Sequence, residues 1–387
     1  MNLFKKTLGR CSALLFALAI ILFSVSLTSC NSSNTNSTSS GDSTSVKQND
    51  STKSTTTTLK PVDPKPEWGK DLTDPMAVVI EKLVSFKSPP ATSLTAQEAR
   101  KQPSPADAVM AVMKEHNVQA PPSNVDTSGK DIPVKGGMIH LRIYTPKSNK
   151  PTYPVILYIH GGGWVIADLN TYGASAEGLA NQVDAVVVSV AYRQAPEFKF
   201  PTAHNDCYAA YEWTVKNAAS IKGDPKMVAV VGESAGGNLA AAVSMMARDK
   251  GVQLPVHEVL VYPIAAYDFT TPSYKENDST MPLSSGFMKW FFEKYLNSPA
   301  DGKNPMISLV SANLKGLPAT TIIAAQYDPL RSEGEMLSDN LKKAGVATTY
   351  KLYKGVTHEF FGMAAIIPEA KEAQGYASDE LKKAFKK

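Results

Sequence analysis

The residues most able to do covalent chemistry lie in Val231-Gly232-Glu233-Ser234-Ala235-Gly236-Gly237. This run follows an apolar strand candidate, Met227–Val231, and opens an alanine-rich helix candidate. Gly-x-Ser-x-Gly arises often by chance, but its setting between a strand and a helix is less common. A serine on such a tight turn needs small neighbours, because Cβ atoms at Gly232 and Gly236 would strike the sheet or the helix. The hydroxyl of Ser234 would then project from the carboxyl edge of a sheet, beside a helix amino end.

A neutral serine is a weak nucleophile and needs a base. The chain has six histidines, His116, His140, His160, His204, His257 and His358. A serine on such a turn resembles the nucleophile of the α/β-hydrolases, and that resemblance implies the chain order serine, acid, histidine, so the base comes last. Only His257 and His358 follow Ser234. His257 stands too close to leave room for an acid on a separate strand end, whereas His358 follows the last strand candidate in Gly355-Val356-Thr357-His358-Glu359-Phe360. The orienting acid is expected at Asp328, after the strand candidate Thr321–Ala325, where Pro329 stops strand continuation and turns the chain. Glu333 competes for this role, although a carboxylate at a helix start also has a plain structural reason.

Attack on a carbonyl creates an oxyanion, which needs donors already in place. His160-Gly161-Gly162-Gly163-Trp164 follows the strand candidate Val155–Ile159. Its glycines let backbone N–H groups approach a ligand, and the Ala235 N–H would join them. The chemistry is acyl transfer, and it needs no metal or redox cofactor.

The elements that must hold these groups read as α/β. Apolar runs recur at Val155–Ile159, Ala185–Val190, Met227–Val231, Val259–Tyr262, Thr321–Ala325 and Thr349–Tyr353, with helical stretches between them. Most are rich in β-branched residues, the rhythm of a mostly parallel sheet covered on both faces. A hairpin-like segment surrounds Ile139–Tyr144. Helical patterns at Asp74–Phe86 and Thr95–Asn117 precede the sheet, the second interrupted at Pro103 and Pro105. An insertion between Pro263 and Lys315 carries the aromatic helix candidate Ser285–Leu296, apolar on nearly all faces. Cap elements over a substrate pocket are expected at about 70–125 and 265–315. Cys207, in a helical pattern, reads as a buried small hydrophobe.

With these motifs in hand, HGGGW, YRQAPEFKFP, GESAGG, YDPL and the late histidine loop together resemble the hormone-sensitive-lipase-like group of α/β-hydrolases, the bacterial family IV carboxylesterases. The resemblance spans about residues 70–385. It implies an α/β-hydrolase fold with a helical cap, a triad of Ser234, Asp328 and His358, and an oxyanion hole of Gly162, Gly163 and Ala235, with Gly161 shaping the turn. It also implies that Tyr192–Glu197, Phe200-Pro201 and Asp206 brace the sheet near the site. Glu233 and Ser332 depart from it, since many relatives carry Asp at the first position and an acid at the second.

Residues 1–29 read as a signal peptide, with Lys5, Lys6 and Arg10 before an apolar stretch from Ala13 to Val25. That stretch is shorter than the roughly 20 residues a spanning helix needs. Leu27-Thr28-Ser29-Cys30 resembles the lipobox of bacterial lipoproteins, which implies cleavage before Cys30, lipidation there and attachment to a membrane outside the cytoplasm. From Asn31 to Thr58, 21 of 28 residues are Ser, Thr or Asn, too polar to offset the entropy of ordering. Residues 30–66 therefore read as a lipidated, disordered tether, and 67–387 as the catalytic domain. Lys and Arg number 40 against 36 Asp and Glu, and removal of the leader brings the balance close to neutral. Such a chain is ill suited to nucleic acid, whose binders concentrate basic charge. A small ester is the expected partner, cleaved through an acyl-enzyme and with a short acyl chain on the family resemblance. An amidase or peptidase on the same triad is one alternative, and a tethered binding lipoprotein without turnover is another.

Overall fold

The β-branched runs form one sheet. The computed structural model describes residues 59–386. The leader 1–29, Cys30 and residues 31–58 of the expected tether lie outside the described residues. The strands are β1 Val125–Val134, β2 Gly137–Pro146, β3 Tyr153–Ile159, β4 Val186–Ala191, β5 Gly223–Glu233, β6 Glu258–Val261, β7 Thr320–Tyr327 and β8 Thr348–Thr357. They run in the order β1-β2-β4-β3-β5-β6-β7-β8. The β1/β2 hairpin and the β2/β4 pair are antiparallel, and every other pair is parallel. This is an α/β-hydrolase fold, as the family resemblance implied, and its mostly parallel sheet is the one the apolar runs predicted.

The helices are α1 Asp74–Ser85, α2 Ala96–Ala99, α3 Pro105–Glu115, α4 Gly173–Val183, α5 Thr202–Asn217, α6 Ala235–Asp249, α7 Pro272–Glu276, α8 Ser285–Tyr295, α9 Arg331–Lys343 and α10 Pro368–Ala384. Alternate residues of β3 divide the core into two layers. Val155, Leu157 and Ile159 pack with α5, α6, α8 and α9, whereas Ile156 and Tyr158 pack with α1, α3, α4 and α10. Both faces of the central strands are thus covered, which is why they read as unbroken apolar runs rather than alternating ones. Cys207 is buried in α5.

The pattern over 95–117 divides for a local reason. Thr95 and Glu98 form a capping box on α2, and Ser104 and Asp107 form a second on α3, with Pro105 at its first turn. The two pieces then part company. Ala96 and Ala99 of α2 join the layer containing α8, where Trp290 Nε1 donates to the Leu94 carbonyl at 3.3 Å. In contrast, α1 and α3 join the opposite layer, and the Thr73 N–H donates to the Gly355 carbonyl at 2.9 Å. The N-terminal helices therefore contact both the insertion and the strand end that leads to His358.

One boundary needs correction. Residues 59–66, expected in the tether, belong to the folded unit. Leu59 is buried against Val78 and Val112, and the Val62 and Asp63 N–H groups donate to the Glu81 carboxylate at 3.1 and 2.7 Å. One leucine at the end of a polar tract is enough to change the boundary when an apolar notch between two helices accepts it. No helix among the described residues is long and apolar enough to cross a membrane.

Candidate active site

The turn between β5 and α6 holds Ser234 with φ 57° and ψ −119°, a left-handed conformation that a side chain rarely adopts. Its neighbours explain the glycines. A Cβ on Gly232 would meet the Gly236 carbonyl, and one on Gly236 would meet the Ile159 and His160 carbonyls. The Ser234 N–H donates to the Val261 carbonyl at 2.8 Å, and its own carbonyl accepts from Asn238 and Ile264. The backbone is fixed on every side. Although Ser234 stands at the N-cap of α6, its hydroxyl caps nothing there, so it is left for another partner.

That partner is His358. Its Nε2 lies 2.9 Å from Ser234 Oγ, and its Nδ1 lies 2.7 Å from Asp328 Oδ2. Asp328 is fully buried, and its other oxygen accepts from the Leu330 N–H at 2.8 Å. The ring of Tyr262 packs on the imidazole, with centroids 4.4 Å apart. Burial pulls the His358 pKa down, but the Asp328 charge and hydrogen bond outweigh it, helped by Glu359 and Glu233, and the net shift is upward. The three side chains singled out in the sequence are thus brought into one hydrogen-bonded line. Their two competitors lie elsewhere: Glu333 accepts from the Ala265 and Ala266 N–H groups at 2.7 and 3.3 Å, and His257 lies against Thr321 at 3.0 Å.

The glycine loop adjoins this line. The Gly162 carbonyl accepts from the Val165 and Ile166 N–H groups, closing the loop into a turn. Among the described residues, the Gly162, Gly163 and Ala235 N–H groups donate to no protein acceptor. The YRQAPE segment clamps the loop. Tyr192 Oη donates to the His160 and Gly161 carbonyls at 3.1 and 3.0 Å, and Gln194 Nε2 donates to the Ile166 and Ala167 carbonyls. Arg193 forks onto buried Asp206 at 2.9 and 2.7 Å. Arg100 forks onto Glu197 and also reaches the Val165 carbonyl, so α2 helps hold the loop.

Sequence reasoning missed a ring of hydroxyls and carboxylates beneath and beside the triad. Tyr158 and Tyr262 each donate to Glu233 at 2.5 Å. Burial pushes the Glu233 carboxyl up to about 7, against the hydrogen bonds that favour its charged form. Tyr172 donates to Glu359 Oε1 at 2.5 Å, and that oxygen lies 3.7 Å from His358 Nε2. The one available signal for Glu359 was an acid directly after the candidate histidine. Among the described residues, no group of three or more His, Cys, Asp or Glu could hold a metal ion.

A family model for the alpha/beta hydrolase fold matches residues 156–362, which include the triad, the glycine loop and the tyrosine–carboxylate ring. The chain belongs to that family. This hydrolase is similar to ethyl acetate hydrolase of Pseudomonas putida, 33% identical over 289 residues, covering 73% of this chain and 88% of the relative. It is also similar to carboxylesterase NlhH of Mycobacterium tuberculosis, 36% identical over 251 residues, covering 64% and 79%. Among solved structures, a hyperthermophilic esterase from the archaeon Pyrobaculum calidifontis superposes with a TM-score of 0.71 at 34% identity, covering 79% of this chain and 97% of that one. The hydrolase is accordingly a carboxylic ester hydrolase.

Proposed function

We propose that the chain is a serine carboxylesterase that cleaves small, short-chain acyl esters through an acyl-enzyme, with Ser234 as nucleophile, His358 as general base and acid, and Asp328 as its orienting acid. The observation that carries this reading is the line Ser234 Oγ to His358 Nε2 at 2.9 Å and His358 Nδ1 to Asp328 at 2.7 Å. With Nδ1–H donating to Asp328, Nε2 accepts the Ser234 proton as Oγ bonds to the ester carbon. The N–H groups of Gly162, Gly163 and Ala235 receive the resulting oxyanion. The carbon–oxygen bond to the alcohol then breaks, and that oxygen takes the proton from Nε2. Water repeats the sequence on the acyl-enzyme: it loses a proton to Nε2, bonds to the acyl carbon and releases Ser234, which regains its proton.

Two observations support a short acyl group: the Phe291 ring, stacked on Phe287 with centroids 4.2 Å apart, crowds Gly163 from α8, and one relative is named for an acetate ester. Turnover of p-nitrophenyl esters from acetate to decanoate tests both parts. Rates should fall as the acyl chain lengthens, because the Phe291 ring leaves little room beside Gly163, and Ser234→Ala should abolish them; wild-type turnover no faster than Ser234→Ala rejects the reading.

The same reading places the enzyme outside the cytoplasm on a lipid at Cys30, supported by the LTSC sequence and the Ser/Thr/Asn-rich stretch after it. Acyl chains contribute about 0.8 kcal/mol per buried methylene, so more than one holds a folded domain at a membrane. Cys30→Ala should move the enzyme from the membrane to the soluble fraction, and unchanged fractionation counts against the anchor.

A further inference from the structure

Glu359 is a carboxyl group to which the acyl-transfer chemistry gives no direct step; burial raises its pKa, against the His358 charge and the Tyr172 hydrogen bond that favour its ionised form. It follows His358 directly, in a left-handed conformation with φ 71°. That geometry folds its side chain back toward the ring, placing Oε1 3.7 Å from the Nε2 that exchanges protons in the proposed reaction. The Tyr172 hydroxyl, from the start of α4, holds the same oxygen at 2.5 Å. Glu359 is 19% exposed at its side chain, whereas His358 and Asp328 are 3% and 0%. It is therefore the least buried of the three. Among the described residues, no Lys or Arg pairs with it, although exposed lysines elsewhere in the chain find carboxylates readily.

We propose that Glu359 selects the alcohol half of the ester, favouring alcohols that carry a cationic ammonium group within two carbons of the ester oxygen. The inference rests on the esterase reading above. The leaving oxygen must come within hydrogen-bond reach of Nε2, about 3 Å, to collect its proton. A carboxylate oxygen 3.7 Å from the same nitrogen then lies within about 7 Å of that leaving oxygen. At that range, in a site shielded from water, opposite charges attract strongly and like charges repel. Before His358 is protonated, an ammonium group on the alcohol supplies the cation that Glu359 otherwise finds in the imidazolium, and an anionic alcohol would face the Glu359 carboxylate.

A pair of esters of the same shape isolates the charge: acetylcholine and its neutral isostere, 3,3-dimethylbutyl acetate. Because Glu359 also influences the imidazole, the readout is the ratio of kcat/KM values for the two esters within each enzyme, from which a common change in nucleophilicity cancels. The ratio of cationic to neutral ester should be about tenfold or more higher in the wild type than in Glu359→Gln. An equal ratio in both enzymes overturns the inference while leaving the esterase intact. If p-nitrophenyl acetate turns over no faster than with Ser234→Ala, the esterase reading falls and takes the inference with it; if p-nitrophenyl acetate is cleaved but neither of the paired esters is, the inference alone is overturned. A measurement on the wild type alone does not depend on the variant folding: choline should inhibit at about tenfold lower concentration than 3,3-dimethylbutanol, and equal inhibition also overturns the inference.

Discussion

The ring of Phe291 occupies the space into which a Cβ on Gly163 would project. Gly163 also has φ 58°, so a side chain there would be strained as well as crowded. An alanine must push the loop away from α8, moving an N–H group assigned to the oxyanion. Gly163→Ala should lower kcat on p-nitrophenyl acetate by about 10²-fold, the usual result of losing one such donor. Gly163→Ala with Phe291→Ala removes the clash but not the backbone strain, so it should recover part of the loss. An unchanged kcat in the single variant would remove Gly163 from the oxyanion hole.

The electrostatics of His358 set a pH dependence. The base must be neutral to accept the Ser234 proton, and its pKa in the folded chain is raised, burial being outweighed by Asp328 with help from Glu359 and Glu233. The rate therefore rises with pH, and kcat/KM should reach half its maximum above the ordinary imidazole value of about 6.5. Removing the Glu359 charge takes away one group that favours the imidazolium. The midpoint in Glu359→Gln should shift to lower pH; a shift upward would contradict the geometry. The same linkage acts on stability: the raised His358 pKa stabilises the fold at pH below 6.5, and this contribution is lost as pH rises through the folded value.

Asp328 tests the orienting role. It lies fully buried with one oxygen on Nδ1 and the other on the Leu330 N–H. Asparagine fits the same space but can present an N–H to Nδ1, which favours the tautomer that puts a proton on Nε2 and blocks it from accepting. Asp328→Asn should lower kcat by about 10⁴-fold with a far smaller change in thermal midpoint. A loss of less than tenfold would mean that another group orients the imidazole.

Much of this site was legible because each triad member sits where a strand pattern ends. Ser234, Asp328 and His358 follow β5, β7 and β8, and the neighbouring parallel strands carry their carboxyl ends to one edge. The prolines at 103 and 105 likewise located a break in the helical pattern before the sheet. What the sequence hid were pairs whose partners lie in separate elements and have no spacing rule. Tyr172 and Glu359 are 187 residues apart, and Tyr158 and Tyr262 reach Glu233 from 75 and 29 residues away. A tyrosine in an apolar run looks like core until the packing shows where its hydroxyl ends. The split of α2 from α1 and α3 was hidden for the same reason: amphipathic patterns identify a buried face but not the layer that buries it.

Away from the site, Glu258 at the start of β6 is a buried carboxylate whose charge the fold tolerates poorly. Thr320 Oγ1 donates to it at 2.8 Å, but burial still pushes its pKa from 4.5 up to about 7. Between those values the folded chain holds a proton that the unfolded chain has lost, so this group makes stability fall as pH rises. Glu233 acts in the same sense. His160 and His204, driven down to about 4 by burial, act in the opposite sense, because the unfolded chain binds their protons first as pH falls. Glu333 and Glu359, whose carboxyls burial also raises, add to the first sense. Glu258→Gln removes one downward contribution. Whatever constant offset the amide introduces, the variant should gain on the wild type by on the order of 3 kcal/mol as pH rises from about 4.5 to about 8. Chemical denaturation of both proteins across that range measures the gain, and a difference independent of pH would mean that Glu258 is no harder to ionise in the folded chain than in the unfolded one.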